Sequence, residues 1–215
     1  MSELFASALH LDRAAVKALR MTDAYSLHRV VYSLFTDLRS EAEKQRDTPS
    51  GIVFADQGGD VHGRKVLIVS NRLPLERVEG QYGTVISKPI ATSFLNYPRY
   101  RFNVQINPVR KDKQSGKRVA VKGRADIAQW FLQRAPQSWG FDVDPQTLQV
   151  DAIEVLQFPD KAGREVTLGK AHIQGQLTVT DLQRFQTSFK NGIGKGRAFG
   201  CGLLQIVPII DNPFA

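Results

Sequence analysis

Four side chains in one short stretch hold the densest chemistry of this sequence: Tyr25, His28, Arg29 and Tyr32, at positions i, i+3, i+4 and i+7. At roughly 100° per residue, that spacing gathers two phenols, an imidazole and a guanidinium on one side of a helix. An imidazole gives or takes a proton near neutral pH, a phenol can share or orient that proton, and a guanidinium can hold developing negative charge. The same pattern also describes an ordinary solvated helix face. Leu27, Val30, Val31, Leu34, Phe35 and Leu38 fall on the other side as one apolar stripe, so a core-packed helix is predicted from about Asp23 to Glu43, capped by Thr22 or Asp23.

A second concentration is Asn191-Gly192-Ile193-Gly194-Lys195-Gly196-Arg197-Ala198-Phe199-Gly200-Cys201-Gly202. Its five glycines let backbone approach a partner closely and turn amides toward phosphate oxygens, while Lys195 and Arg197 add charge. It has no Gly-Lys-Ser/Thr ending and too little chain after it for a βαβ unit, which excludes a P-loop and a dinucleotide fingerprint. The plainer alternative is a flexible crossing between the last helix and the last strand, with Cys201 as a small filler. A third feature is the turn Phe158-Pro159-Asp160-Lys161-Ala162-Gly163-Arg164, which would carry Lys161 and Arg164 at an exposed hairpin tip able to enter a nucleic-acid groove. Such tips are commonly just soluble.

Other chemistries find less support. His10, His62 and His172 are scattered singly, and no acidic cluster of the kind that holds paired Mg²⁺ is present, so any nuclease activity is expected to proceed without a bound metal or other cofactor. No Gly-x-Ser-x-Gly elbow supports Ser/His/Asp catalysis. The single cysteine, Cys201, makes no internal disulfide and no zinc pair. No run approaches the roughly 18 apolar residues of a membrane span, and Met1 to Arg13 does not read as a secretory signal, so a cytoplasmic protein is expected.

Across 215 residues, 29 basic and 21 acidic side chains leave a net charge of +8, with 42% hydrophobic residues. That composition excludes a disordered tail, a collagen-like repeat and a coiled coil, and its surplus charge favours phosphate polymers or anionic lipid as partners. Between Arg99 and Arg134 ten basic residues face only Asp112 and Asp126, a difference equal to the entire surplus. An acid-free basic stretch runs from Arg184 to Arg197. The plain alternative is two solvated surfaces.

Elements that would position these groups alternate between strands and single helices, which predicts an α+β fold. The first half reads as a strand over Leu4 to Leu11, the helix from Asp23, and strands at Ile52 to Ala55, Lys65 to Ser70 and Val85 to Lys88. The second half reads as strands at Arg99 to Asn107 and Arg118 to Lys122, a helix over Ala125 to Arg134, strands at Val150 to Gln157 and Val166 to Val179, a helix over Leu182 to Lys190, and a strand at Leu203 to Val207. Counted from Arg99, the plan is β-α-β-β-α-β, the ferredoxin-like or RRM-like signature, and the first half fits a degraded copy of it. A junction is expected at Tyr97-Pro98, giving domains 1–97 and 98–215.

The sequence resembles the CasE-type CRISPR repeat-RNA endoribonucleases, the processing subunit of the Cascade surveillance complex. The resemblance spans essentially the whole chain. Its most specific parts are Tyr25-Ser26-Leu27-His28, Arg101-Phe102 leading into Asn107-Pro108, Gly116-Lys117-Arg118, and Gly192-Ile193-Gly194 with Gly200-Cys201-Gly202-Leu203-Leu204. It implies tandem ferredoxin-like domains and metal-independent cleavage of repeat RNA at the base of a stem-loop, with the mature crRNA retained alongside other Cascade subunits. By match to the family motif, His28 and Tyr25 are the catalytic positions. The resemblance also implies an RNA-binding hairpin at Lys161 and Arg164 and a cleft lined by Gly192, Gly194, Lys195, Gly196 and Arg197. The basic stretch adds Arg110, Lys111, Lys117 and Arg118 as RNA contacts. Where some members of the family carry a lysine five residues after the histidine, this sequence has Ser33, so Arg29 is the first candidate for charge stabilisation and Lys195 the second.

A metal-free route has the 2′-hydroxyl attack the adjacent phosphorus in line, giving a 2′,3′-cyclic phosphate and a 5′-hydroxyl. His28 would act on the leaving 5′-oxygen or on the attacking hydroxyl, with Tyr25 orienting the substrate or sharing the proton. Two other classes fit parts of the sequence: a non-catalytic RRM-like RNA-binding or scaffolding protein, and a nucleotide-binding enzyme built on the glycine segment.

Overall fold

The computed structural model describes residues 3–36, 49–160 and 162–210. The chain divides into two units, one of Met1–Ile90 with Ala198–Gly200 and one of Ala91–Arg197 with Cys201–Ala215.

In the first unit, Leu9 and Leu11 of β1 (Phe5–Leu11) are buried and His10 between them is exposed, the period-two pattern of a strand with one covered face. Asp12 then starts a short helix the sequence reading passed over, α1 (Arg13–Ala18), by accepting the Ala15 N–H at 2.7 Å. Its end folds back through amide bonds from Arg20 to Lys17 O and from Met21 to Val16 O, a closure that sets Arg20 at φ 49°. Glycine is favoured at such a position, and an arginine there costs on the order of 1 kcal/mol. α2 (Ala24–Ser33) follows, then β2 (Ile52–Gly59), β3 (Arg64–Ser70) and β4 (Thr84–Pro89). The sheet order is β2-β3-β1-β4, with every pair antiparallel. Read as fourth, first, third, second strand, this is the ferredoxin-like order. Between β3 and β4 that fold has a second helix; here residues 71–83 turn instead, through a Val78–Tyr82 bridge.

The second unit contains β5 (Arg99–Ile106), β6 (Val109–Lys111), β7 (Arg118–Ala120), α3 (Arg124–Ser138), β8 (Phe141–Val143), β9 (Gln149–Pro159), β10 (Glu165–Val179), α4 (Leu182–Asn191) and β11 (Gln205–Pro208). Its sheet order, β11-β5-β10-β8 with β9 also on β10, is the same order with both helices present. Fold class is therefore α+β with tandem ferredoxin-like sheets, as expected. Tyr100, Phe102, Val104 and Ile106 alternate into the core from β5, where Phe102 stacks on Phe131 of α3 at 5.6 Å and Tyr100 meets Phe185 of α4 at 5.3 Å. Tyr100 is fully buried, and its hydroxyl donates to Phe94 O at 2.7 Å.

Two expectations about elements need correction. The strand expected at Arg118 to Lys122 ends at Ala120 and pairs only with β6, as a ribbon outside the main sheet. The helix expected to reach Glu43 ends at Ser33. Leu34 O, which a continuing helix would reserve for residue 38, accepts the Leu75 amide at 2.9 Å. Leu38 and the rest of that expected helix to Glu43 lie outside the described residues, but Leu27, Val30, Val31, Leu34 and Phe35 are all buried. Among the described residues, no helix is long and apolar enough to cross a membrane.

Candidate active site

α2 begins where the sequence can anchor it. Asp23 accepts the Ser26 amide at 2.7 Å and Ser26 Oγ accepts the Asp23 amide at 2.9 Å and the Thr22 amide at 3.0 Å. This reciprocal cap, for which loss of the Asp23 side chain would cost about 1 kcal/mol, fixes the first turn that carries Tyr25. Leu27, Val30 and Val31 then bind the helix to the core, which leaves Tyr25, His28 and Tyr32 half-buried and Arg29 exposed.

His28 is held on several sides. Its Nδ1 lies 2.9 Å from Ala198 O. A carbonyl only accepts, so Nδ1 carries the proton in this contact, and the nitrogen that changes protonation in a neutral-to-charged cycle is Nε2. The ring of Tyr32 packs against the imidazole at 4.2 Å, Tyr25 stacks near it at 6.1 Å with 21° between planes, and Phe199 closes in at 6.0 Å. Tyr32 is fixed in turn by its hydroxyl, 2.9 Å from Ser50 Oγ. Tyr25 and His28 are thus brought together as the spacing predicts. Ala198 and Phe199, 170 residues or more from His28, are partners that helix periodicity could not reveal. The sole signal was an aromatic residue inside a glycine-rich run. Ser33, at the position of the lysine some of the family carry, turns its Oγ back to Val30 O at 2.8 Å.

Lys195 belongs to the second unit, where it is exposed and bridges Asn107 across a short antiparallel contact. The surrounding segment is tied down. Ile193 donates to Gly202 O at 2.9 Å, Gly202 donates to Gln105 O at 2.6 Å, and Arg197 Nη1 donates to Asn191 O at 3.1 Å. Gly192, Gly194, Gly196, Gly200 and Gly202 all have φ between 72° and 88°. A Cβ on Gly202 would stand 2.3 Å from Ile193 O, so the glycines are required by a fixed backbone path. Cys201 is fully buried, and burial pushes its thiol up to about 12, in keeping with a filler.

Two basic projections complete the second unit. In the β6–β7 ribbon Lys111 pairs with Arg118 and Arg110 with Val119, and Lys117 closes the intervening turn through its carbonyl and the Asp112 amide at 2.8 Å. Arg110, Lys111, Lys117 and Arg118 are all exposed. The Ser115 hydroxyl, then its amide, hold the Asp112 carboxyl below its ordinary value, so this acid stays charged within the turn. At the β9–β10 tip, Arg164 pairs with Asp160 at 2.8 Å while remaining 81% exposed, which keeps part of its guanidinium outward but offsets its charge. Lys161 lies outside the described residues. Among the described residues no three His, Cys, Asp or Glu side chains gather as a metal-ligand set.

The sequence profile of the family described as CRISPR associated protein matches residues 4–208. The chain belongs to this CRISPR-associated family. It is 32% identical over 139 residues to the CRISPR-associated endoribonuclease Cse3 of Thermus thermophilus, a match taking in 60% of this chain and 65% of that protein. It is 22% identical over 219 residues to the CRISPR system Cascade subunit CasE of Escherichia coli, covering 94% of this chain and 100% of that one. Among solved structures, CRISPR endoribonuclease Cse3 bound to a 19-nucleotide RNA superposes with a TM-score of 0.76 at 22% identity, over 96% of this chain and 100% of that chain. Cas6e from Escherichia coli K-12 gives 0.62 at 20% identity, over 95% and 100%. These structural likenesses establish a shared fold for the CRISPR-associated chain.

Proposed function

We propose that this CRISPR-associated chain is a metal-independent endoribonuclease that cuts CRISPR repeat RNA at the base of a stem-loop and keeps the mature crRNA within a Cascade assembly. The observation that carries this is the imidazole of His28, clasped through Nδ1 by Ala198 O and flanked by Tyr25 and Tyr32. Support for the substrate class comes from relatives whose names and structures specify CRISPR endoribonuclease, Cascade and bound RNA.

With Nδ1 committed to a carbonyl, Nε2 is the atom that exchanges a proton with the substrate. Neutral, it takes the proton of the attacking 2′-hydroxyl; charged, it gives one to the departing 5′-oxygen. Tyr25, one turn earlier, orients the ribose or shares that proton. Arg29, the next residue after His28 and exposed, is the first candidate to offset charge on the phosphorane, and Lys195 the second. Exposed cations of the β6–β7 ribbon, together with Arg164 and Lys161, hold phosphates, and the fixed amides of the glycine segment line the path of the RNA.

Incubating the protein with the repeat RNA of its own genome in EDTA should give a 2′,3′-cyclic phosphate and a 5′-hydroxyl. A single 2′-deoxy nucleotide at the scissile position should stop cutting and leave binding intact. Cleavage of that deoxy substrate refutes the mechanism, and binding without any product from the unmodified RNA favours a non-catalytic RNA-binding protein.

A further inference from the structure

A groove in the first unit takes no part in the chemistry described above. Two hollows, of about 530 and 860 Å³, share Gly59, Asp60, Gly63 and Arg64 at the β2–β3 turn and so form one continuous depression. Arg13, Lys17 and Arg20 line the smaller one at helical spacing, all exposed, over Val16 and the buried Met21. Lys65 and Arg77 add charge to the larger one, whose lining also includes Tyr82, His10 and His62.

Acids in the two linings are already engaged. Asp12 caps α1 through the Ala15 amide. Asp60 accepts the amides of His62 and Gly63 at 2.7 and 3.2 Å, and the His62 amide is the main reason its carboxyl sits below the ordinary value. Arg64 is bound by Asp56 and adds no net charge. Five further cations therefore stand against two acids along the groove.

Cations in both hollows and rings in the larger one suit unpaired RNA, whose phosphates meet the charges while its bases can stack on the rings. A duplex has its bases stacked on one another and would leave the rings without a partner. The groove also leads toward the proposed chemistry. Thr22, in its lining, directly precedes Asp23, the cap of the helix that carries Tyr25 and His28.

We propose that this groove binds the single-stranded RNA adjoining the cleavage position, an interaction surface that rests on the endoribonuclease reading. Fluorescence anisotropy with 2′-deoxy, uncut repeat RNA tests it, comparing the bare stem-loop with the stem-loop plus its unpaired flank over a range of salt. The flank should tighten binding about tenfold. The triple variant Arg13→Ala, Lys17→Ala, Arg20→Ala should lose that gain, lower the salt slope on flanked RNA by about 2, and bind the bare stem-loop as the parent does. Lys65→Ala with Arg77→Ala, on a strand and a loop away from α1, should reproduce the loss and stands in if the triple variant does not fold. A flank that adds no affinity, or variants weakened equally on both RNAs, overturns the groove alone. Failure to bind either RNA overturns the endoribonuclease reading together with it.

Discussion

Among the described residues, the first unit joins α1 and α2 to β1 to β4 and turns through residues 71–83 where its fold has a second helix, whereas the second unit keeps both helices around an aromatic core. Strand order is the same in both. The stripped-down copy carries the imidazole and its ring partners, while the complete copy carries the ribbon, the long hairpin and most of the glycine segment. A sheet order can thus be held constant while the additions to it differ, and on the proposed reading one set serves proton transfer and the other phosphate contact.

The sharpest way to break that division is His28→Ala, expected to slow repeat cleavage at least 10³-fold with binding unchanged, read by single-turnover kinetics beside anisotropy. A variant that cuts normally would strip the first unit of its assigned task. Next in size is Phe131→Ala in the second unit, where the fully buried ring touches Phe102 and Trp139. A loss of about 3–5 kcal/mol is expected. Both tryptophans, Trp130 and Trp139, lie in this unit, so fluorescence-monitored urea unfolding reads it selectively. An unmoved midpoint would show that the aromatic core is not what stabilises the complete copy.

Smaller effects refine the comparison. Lys111→Ala with Arg118→Ala, cross-strand neighbours in the ribbon, should lower the salt slope of stem-loop binding by about 2, and an unchanged slope removes the ribbon from the RNA surface. Cys201 offers a pH test. Burial pushes its thiol up from an ordinary 9.0 to about 12, so the native state holds its proton more tightly than the unfolded chain. The resulting stability is complete below pH 9.0 and fades as pH rises toward 12. Cys201→Ala should flatten that alkaline loss in melting curves, and an identical decline in both proteins would show that the thiol does not cause it.

Much of this was legible in the sequence because it is local. The start and apolar stripe of α2, the alternation in β5 and the order of the main elements of the second half all follow from periodicity. What escaped depends on contacts between residues far apart in the chain. Nothing near Ser33 announces that Leu75 will claim the Leu34 carbonyl, and nothing near His28 points to Ala198. The sequence predicts a strand from Arg118 but not its partner, because such residues suit a β conformation equally well in a main sheet or in a ribbon.

Because the clasp on His28 comes from residue 198, 170 positions downstream, a nascent polypeptide cannot assemble the imidazole's surroundings early in translation. At ribosomal speed the interval is roughly ten to thirty seconds. During that time β1 to β4 could already have paired, yet the histidine would lack the carbonyl that fixes its tautomer. On the proposed reading, a polypeptide stopped short of residue 198 would lack the carbonyl that sets this imidazole, and with it the complete proton-transfer site.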